Sequence, residues 1–414
     1  MIETQDNVAD PEGRAAAGEA GADARVGRLR LLVYALALLS SVLQSAIAPL
    51  LPAYQERFQL GSVQVAELLA ATGVAALVIS LPAGALSDRF GARVLTLWSG
   101  WLLVASTLGQ AFAPSFAFLL MTRFVFGLGY GIVWTSALTW LTRACDDETT
   151  MTGTITASGF GCIAGPAFAG ILAQYFGLAA PLVVAAVLTT VVTLLLTAID
   201  LEGVSSFEPT GVLASIRSAS GDPRVLGASV AVAVAGASAA LVTLLAPLEL
   251  HASGASDGTI GVAFSVAAVL FIVGSMATKR VGMRAVRLKT VLGAGLVLAF
   301  VVSPATASSA PVCVVLMLCA TSAIRSVLWA VGYPLGASGA NRAGVGLGVV
   351  MGLLNLVWAL ATVISPLLAG ALVGHFGARG TFAISQAVLG AGLVIGWLGF
   401  HVRVPERGIR IGHL

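Results

Sequence analysis

The sequence predicts an all-α integral membrane protein with twelve transmembrane helices, arranged as two pseudo-symmetric bundles of six. Three observations support this fold class: the composition, a succession of apolar stretches and an internal repeat. Of the 414 residues, 58% are hydrophobic and 10% are charged, whereas a soluble domain carries about a quarter charged residues. Apolar stretches of about 20 residues, the length that crosses the hydrocarbon core as a helix, recur along nearly the whole chain.

These stretches place the transmembrane spans, which we number in chain order. The polar residues 1–30 precede them and predict a disordered cytoplasmic tail without the apolar core of a secretory signal. A cytoplasmic linker, residues 201–224, separates an N-terminal bundle (31–200) from a C-terminal bundle (225–402), and residues 403–414 form a cytoplasmic C-terminal tail. The predicted spans are 31–53, 62–83, 94–112, 115–140, 151–174, 181–199, 225–247, 259–277, 288–306, 311–335, 344–373 and 381–401.

The distribution of basic residues sets the orientation. If the N-terminus is cytoplasmic, only Arg57 and Arg379 among the basic residues of loops and tails fall on the outer side. This asymmetry is the one that the positive-inside rule requires. We therefore expect a multi-pass protein of the plasma membrane with both termini in the cytoplasm.

The two halves carry related segments in the same order. The segment DRFGAR (88–93) returns as KRVGMR (279–284), and GPAFAGILAQYFG (165–177) returns as SPLLAGALVGHFG (365–377). Two matches after corresponding spans indicate duplication of a six-span unit. Repeated halves around a shared interface, with a substrate site near the membrane midplane, are common in secondary transporters.

Three segments resemble signatures of the major facilitator superfamily, and the resemblance extends over the chain after residue 30. GALSDRFGAR, between spans 2 and 3, matches the pattern G-x-L-[AS]-D-R-x-G, although Ala92 stands where a first basic residue is usual; its matching positions include Gly84, Asp88, Arg89, Gly91 and Arg93. LLMTRFVFGLGYG in span 4 is similar to the family's arginine and glycine motif. GCIAGPAFAG in span 5 resembles the G-x-x-x-G-P-x-x-x-G signature of its exporters.

The exporter-like motif has a physical interpretation of its own. Gly161 and Gly165 are four residues apart and share a helix face, which lets a neighbouring backbone approach closely. Pro166 weakens the local hydrogen-bond ladder, and Gly170 continues the motif. We predict that these residues form a helix-packing seam, along which helices can slide; direct contact with the substrate is the alternative.

Three charged residues lie inside predicted spans, where a charge costs about 2.5–3.5 kcal/mol on insertion scales. Glu67 lies one turn inside span 2, and Arg123 and Arg325 lie deeper in spans 4 and 10. Glu67 is the only acid placed to carry protons, although a structural bond to a neighbouring helix explains it equally well. For Arg123, substrate binding and a bond to backbone carbonyls are equally consistent with the sequence.

Helical spacing predicts the companions of the two arginines. The resemblance implies that helices 1, 4, 7 and 10 line a central cavity in which spans 4 and 10 face each other. Residues on these faces and on spans 1 and 11 are our predicted substrate contacts, although Trp and Tyr also mark the interfacial belt and Asn355 is equally suited to bonding across helices. The predicted contacts are Gln44, Arg123, Tyr130, Trp134, Arg325, Trp329, Tyr333, Asn355 and Trp358.

The charged turn between spans 2 and 3 is predicted to act as a gate. The resemblance implies that the Asp88 carboxylate caps the helix that begins near Gly344 and that Arg93 meets an acid at the end of span 4, such as Asp146. Lys279 stands in place of Asp88 in the second copy and cannot accept this cap. The resemblance therefore implies a one-sided latch that joins the halves while the cytoplasmic side is closed.

The predicted function is secondary active transport by alternating access, with export of small amphipathic or anionic organic molecules and proton coupling. A nutrient importer and a non-transporting receptor or scaffold are the alternatives. The four histidines are dispersed, the cysteines lack metal or redox spacing, and a phosphate-binding G-x-x-x-x-G-K-[ST] motif is missing. We therefore predict no enzyme activity, metal, cofactor, nucleotide or nucleic acid, and a monomer in the lipid bilayer with a small-molecule substrate.

Overall fold

The computed structural model describes residues 11–144, 149–199, 221–281, 310–345 and 347–403. This part of the chain is helical apart from short turns. Its helices are α1 (Pro11–Ser45), α2 (Ile47–Phe58), α3 (Ser62–Phe90), α4 (Ala92–Ala111), α5 (Phe116–Ala144), α6 (Thr149–Phe176), α7 (Ala180–Thr197), α8 (Pro223–Ala252), α9 (Asp257–Val281), α10 (Pro311–Ala343) and α11 (Leu347–Arg403).

Ten helical segments within the described residues are long and apolar enough to cross a membrane. One of them, Val349–Ile395 in α11, contains most of predicted spans 11 and 12, which are separated by non-helical backbone at Gly377 (φ 67°, ψ 171°). Predicted span 9 (288–306) and nearly all of the linker lie outside the described residues. The helices thus form the all-α transmembrane architecture that the sequence predicts.

Span 1 differs from its predicted form at both ends. Its helix begins at Pro11, about twenty residues before the predicted start, because PEGRAAAGEAGADAR combines a proline suited to the first helical turn with a run of strong helix formers. Near its other end the span is interrupted at Ala46, and α2 continues it with Pro52 in its interior. Gln44 and Ser45 on one side of the interruption, and Ile47 and Ala48 on the other, line the cavity described below.

The internal repeat is visible in backbone geometry. Gly177 and Gly377, which correspond in the repeat, both adopt positive φ, at 86° and 67°, a conformation that glycine adopts without steric cost. Gly170 approaches the backbone of Asp257 at the start of α9, and Gly370 approaches the backbone of Ser62 at the start of α3. The two halves therefore contact each other through equivalent helix pairs. In one pair α6 packs on α9, and in the other α11 packs on α3.

Small residues also join helices within the N-terminal half. A Cβ atom on Gly161 would collide with the carbonyl oxygen of Leu38, and one on Gly165 with the Ser45 side chain and the carbonyl of Val42. Residues in α6 and α1 are thus held at backbone contact distance. This is where the structure places the first two glycines of the predicted packing seam.

Candidate functional site

The two faces of the helix bundle are distinct. We call the face that carries Arg89, Arg93 and Arg342 the basic face; it includes the turn between α3 and α4. The opposite face carries the turns between α2 and α3 and between α8 and α9. Both faces are assigned from residues that the structure describes. The sequence predicts that the basic face is cytoplasmic.

The two halves are tied together at the opposite face. His251 Nε2 lies 2.8 Å from Glu56 Oε1, which joins the ends of α8 and α2. The backbone N–H of Gly258 donates to Gln174 Oε1 at 3.2 Å, so that α9 is also bonded to α6. The described residues thus form a conformation that is closed at the opposite face.

Deeper in the membrane, α6 and α9 remain in contact. The N–H of Ala167 donates to Ser265 Oγ at 3.0 Å. A Cβ on Gly261 would collide with the carbonyl oxygen of Pro166, and one on Gly170 with that of Asp257. Pro166 and Gly170 of the predicted seam therefore lie on the interface between the halves, whereas Gly161 and Gly165 face α1.

A cavity of about 270 Å³ lies between the halves near mid-membrane. Two arginines line it, and none of its described lining residues is an aspartate or glutamate. Most of the remaining wall is apolar or carries a neutral hydroxyl, amide or thiol. The lining residues are Gln44, Ser45, Ile47, Ala48, Leu69, Arg123, Cys162, Pro166, Ala239, Ala240, Val242, Thr243, Phe264, Ala267, Ala268, Leu318, Ser322, Arg325 and Thr362.

Arg123 is held by neutral groups. Its side chain is 2% exposed, and its Nη1 and Nη2 groups donate to Gln110 Oε1 and Gln44 Oε1, each at 3.4 Å. The guanidinium carbon lies 4.9 Å from the centroid of the Phe126 ring. Amide oxygens and an aromatic ring stabilise a cation but do not neutralise it. Arg123 therefore brings a positive charge to the cavity wall.

Arg325 supplies the second positive charge. It lies on α10 and lines the same cavity, with its guanidinium carbon 5.1 Å from the centroid of the Phe271 ring in α9. Within the described residues no acid forms an ion pair with it. The two arginines come from opposite halves of the molecule, so a ligand that reaches both would bridge the halves.

The predicted aromatic contacts lie beside the cavity. Of the nine predicted substrate contacts, Gln44, Arg123 and Arg325 line it, and the other six do not. The ring centroids of Tyr130 and Trp134 are 6.3 Å apart. In the other half, Trp329 is 4.7 Å from Tyr333 and 4.8 Å from Trp358, measured between centroids, and the Tyr333 hydroxyl donates to Asn355 Oδ1 at 3.1 Å.

Sequence reasoning missed several neighbours of the arginines. Gln110 is a polar residue inside span 3, so it carried a signal that was overlooked. Phe271 and Phe264 had no signal, because a phenylalanine in an apolar span is ordinary. The sequence predicts no function for Cys162, because the cysteines lack metal or redox spacing. In the structure Cys162 is exposed and lines the cavity.

Glu67 does not line the cavity. It lies in the second turn of α3 and is partly exposed, whereas Leu69, two residues further along, is on the cavity wall. The predicted role of Glu67 in proton coupling therefore has no direct contact with the two arginines to support it.

The gate segment has a sharp turn at its centre. Gly91 separates α3 from α4 with φ at 86°, a conformation that favours glycine. Arg93 Nη2 donates to the carbonyl oxygen of Thr197 at the end of α7, at 3.1 Å, and the Arg89 guanidinium lies 5.3 Å from the centroid of its neighbour Phe90.

Some residues of the predicted gate lie outside the part of the chain that the structure describes. The surroundings of Gly84 and Asp88, and residues 145–148 with Asp146, lie outside what the structure describes. The helix expected to begin near Gly344 begins at Leu347, whereas Gly344 itself, with φ at 64°, ends α10, because a glycine with positive φ terminates a helix.

Comparison with known proteins identifies the family. The model of the Major Facilitator Superfamily matches residues 33–351 of this chain. The chain belongs to the major facilitator superfamily. Its relatives include the MFS-type transporter ppzB of Metarhizium rileyi, 29% identical over 158 residues, and that of Metarhizium majus, 30% identical over 158 residues. Each match covers 36% of this chain, and the chain spans about a third of each relative, 33% and 35%.

Solved structures of the superfamily share the fold. A bacterial homolog to the human lysosomal transporter Spinster, in an inward-facing and unoccupied conformation, superposes with a TM-score of 0.72 at 14% identity over 91% of this chain and 96% of that one. A D-xylose-proton symporter gives a TM-score of 0.72 at 14% identity over 92% and 99%. The protein is thus a multi-pass membrane protein of this superfamily with the fold of these transporters.

Proposed function

We propose that the protein exports small amphipathic organic anions across the plasma membrane by alternating access, as a monomer with both termini in the cytoplasm. The observation that carries the substrate class is the charge of the cavity, where two guanidinium groups and no described acid line the wall. A guanidinium binds a carboxylate or phosphate with paired hydrogen bonds. The apolar remainder of the wall suits the hydrocarbon part of such a molecule.

The proposed direction rests on a sequence signature and on the membrane potential. The G-x-x-x-G-P-x-x-x-G pattern from Gly161 to Gly170 resembles the signature of exporters. The cytoplasm is electrically negative, and moving one charge across 100 mV is worth about 2.3 kcal/mol, so the membrane potential favours exit of an anion.

A flux comparison in proteoliposomes tests this proposal. The purified full chain is offered naphthoate, neutral naphthamide and cationic naphthylmethylammonium, which share a ring system and differ in charge. Protein-dependent flux of naphthoate alone is expected. Flux of the cation in preference to the anion would overturn the substrate class, and absence of flux for all three would favour a receptor or scaffold. Net accumulation of the anion inside intact cells would instead identify an importer.

Proton coupling is proposed through Glu67. We expect Glu67→Gln to remove the acceleration of anion efflux by an imposed pH gradient, because a glutamine cannot bind and release a proton. Exchange of labelled for unlabelled anion without a pH gradient needs no net proton movement and should be retained. If pH-driven efflux from proteoliposomes stays at the wild-type rate, Glu67 has a structural role and coupling does not pass through it.

The gate is proposed to act through Asp88. A carboxylate at a helix N-terminus contributes about 0.3–1 kcal/mol, so Asp88→Asn should shift the population about two- to fivefold towards the inward-open state and slow turnover without removing substrate binding. Distances between spin labels across the basic face measure this shift. Lys279→Asn is the control, because the second copy of the motif has no acid to lose. Unchanged distances in Asp88→Asn would contradict the latch.

A further inference from the structure

We infer that the cavity continues towards the basic face into an aromatic subsite formed by the C-terminal half alone, and that its ligand is an aromatic carboxylate. This inference rests on the proposed function, since it names the substrate class of the same cavity. Its residues are Phe271, Trp329 and Trp358, and none of the three belongs to the described lining of the cavity. The sequence predicts no role for Phe271.

Helical register places the three rings on one level. Ala267 and Ala268 line the cavity from α9, and Phe271 lies one turn further towards the basic face. In the same way, Trp329 follows Arg325 by one turn on α10. Because residues three or four apart share a helix face, both helices extend their cavity walls as aromatic surface.

The third helix, α11, runs in the opposite direction and also places an aromatic residue towards the basic face. Thr362 lines the cavity from α11, which begins at the basic face, so Trp358 lies one turn closer to that face. Each of three cavity-lining helices thus places an aromatic side chain one turn closer to the basic face than its cavity-lining residue. The three aromatic side chains are partly exposed.

The rings form a continuous row that starts at the positive charge. The Arg325 guanidinium lies over Phe271 at 5.1 Å. Phe271 meets Trp329 edge to face with centroids 6.4 Å apart, and Trp329 meets Trp358 at 4.8 Å with an interplanar angle of 82°. Edge-to-face arrangements are favourable for aromatic pairs, so the row has a defined shape.

The surrounding structure fixes the row in place. Gly236 of α8 lies under the Trp358 indole, where an added Cβ atom would be 3.1 Å from the ring. On the other side, Tyr333 packs on Trp329 and its hydroxyl is held by Asn355. A rigid aromatic surface loses little entropy when a ligand binds.

The N-terminal half has an aromatic row of its own, Phe126, Tyr130 and Trp134, but its first ring cannot be reached by a ligand beside the arginine. Arg123 packs on Phe126, but Phe126 is 1% exposed and belongs to the interior of the bundle. The subsite is therefore one-sided. Arg325 and Trp329 are one helical turn apart, or about 6 Å along the axis, so one ligand can contact both side chains.

Calorimetric titration of the purified full chain tests the inference with two matched acids. Benzoate and cyclohexanecarboxylate have the same charge and nearly the same size, but only benzoate is aromatic. We expect benzoate to bind about three- to tenfold more tightly. Phe271→Leu and Trp329→Leu should each reduce this preference towards one and leave the affinity for cyclohexanecarboxylate within about twofold. Phe160→Leu, at a 61% exposed position of α6, should keep the preference.

The outcomes separate this inference from the proposed function. Equal affinity for the two acids, both weakened by Arg325→Ala, would overturn the aromatic subsite and leave the anion transporter intact. A benzoate preference that survives both Phe271→Leu and Trp329→Leu would also overturn it. Failure of both acids to bind would overturn the inference together with the proposed substrate class. A variant that unfolds is identified by its thermal unfolding curve, and the other variant then decides.

Discussion

Replacing Arg325 with alanine is expected to weaken the binding of organic anions by about 10- to 100-fold. A hydrogen bond to a charged group contributes about 1.5–3 kcal/mol, and each 1.4 kcal/mol is a factor of ten in affinity. Arg325 lines the cavity and has no acidic partner among the described residues, so its charge is available to a ligand. Titration of the purified protein with benzoate or naphthoate measures the loss.

Two further variants make the Arg325 result specific. Arg325→Lys keeps the charge but not the planar fork of donors, and should recover part of the affinity. Arg57→Ala removes an arginine that binds the carbonyl oxygen of Ala113 outside the cavity, and should leave the affinity unchanged. An Arg325→Ala protein that folds and binds anions as tightly as the wild type would show that the charge is not used for the substrate.

Replacing Gly170 with valine is expected to disfavour closure at the opposite face and to reduce transport at least about fivefold. A Cβ atom at this position would collide with the carbonyl oxygen of Asp257 and lie 3.2 Å from the Cα of Gly261. Both neighbours are backbone atoms and cannot move aside as a flexible side chain could. Overpacking costs about 1–3 kcal/mol, which shifts a two-state equilibrium by about 5- to 150-fold.

Spin-label distances across the opposite face measure this effect. They should lengthen in Gly170→Val, because the crowded contact exists only while that face is closed. Gly374→Val is the matched control, since Gly374 lies one turn further along the corresponding stretch of α11 and has no heavy atom within 4 Å of an added Cβ. Unchanged distances with normal transport in Gly170→Val would show that the α6–α9 contact does not form the closure.

Much of the fold could be predicted because membrane insertion makes its signal local. Each span must satisfy its own backbone hydrogen bonds in lipid, so an apolar stretch of sufficient length indicates a helix without knowledge of its neighbours. The repeat was visible for a similar reason. Gly177 and Gly377 hold a backbone conformation that favours glycine, and such positions persist in both copies while the surrounding apolar residues vary.

Of the candidate site, only the charged residues could be predicted from the sequence. An arginine in lipid is expensive, so Arg123 and Arg325 were conspicuous in the sequence, and both line the cavity. The rest of the wall depends on helix rotation and tilt. A phenylalanine such as Phe271, or a small residue such as Gly236, has the same local signal whether it faces lipid, a neighbouring helix or the cavity. These positions become informative only when the helices are placed together.

We propose that one cavity binds an organic anion through Arg325 and Arg123 and opens alternately to the two sides. Counterflow in proteoliposomes tests this mechanism: vesicles loaded with unlabelled benzoate are diluted into a trace of labelled benzoate. We expect a transient accumulation of label in wild-type vesicles, because one carrier site exchanges ligand across the membrane, and at least a tenfold smaller accumulation with Arg325→Ala. Equal accumulation with Arg325→Ala, or flux of label that unlabelled benzoate on the other side does not accelerate, would contradict it.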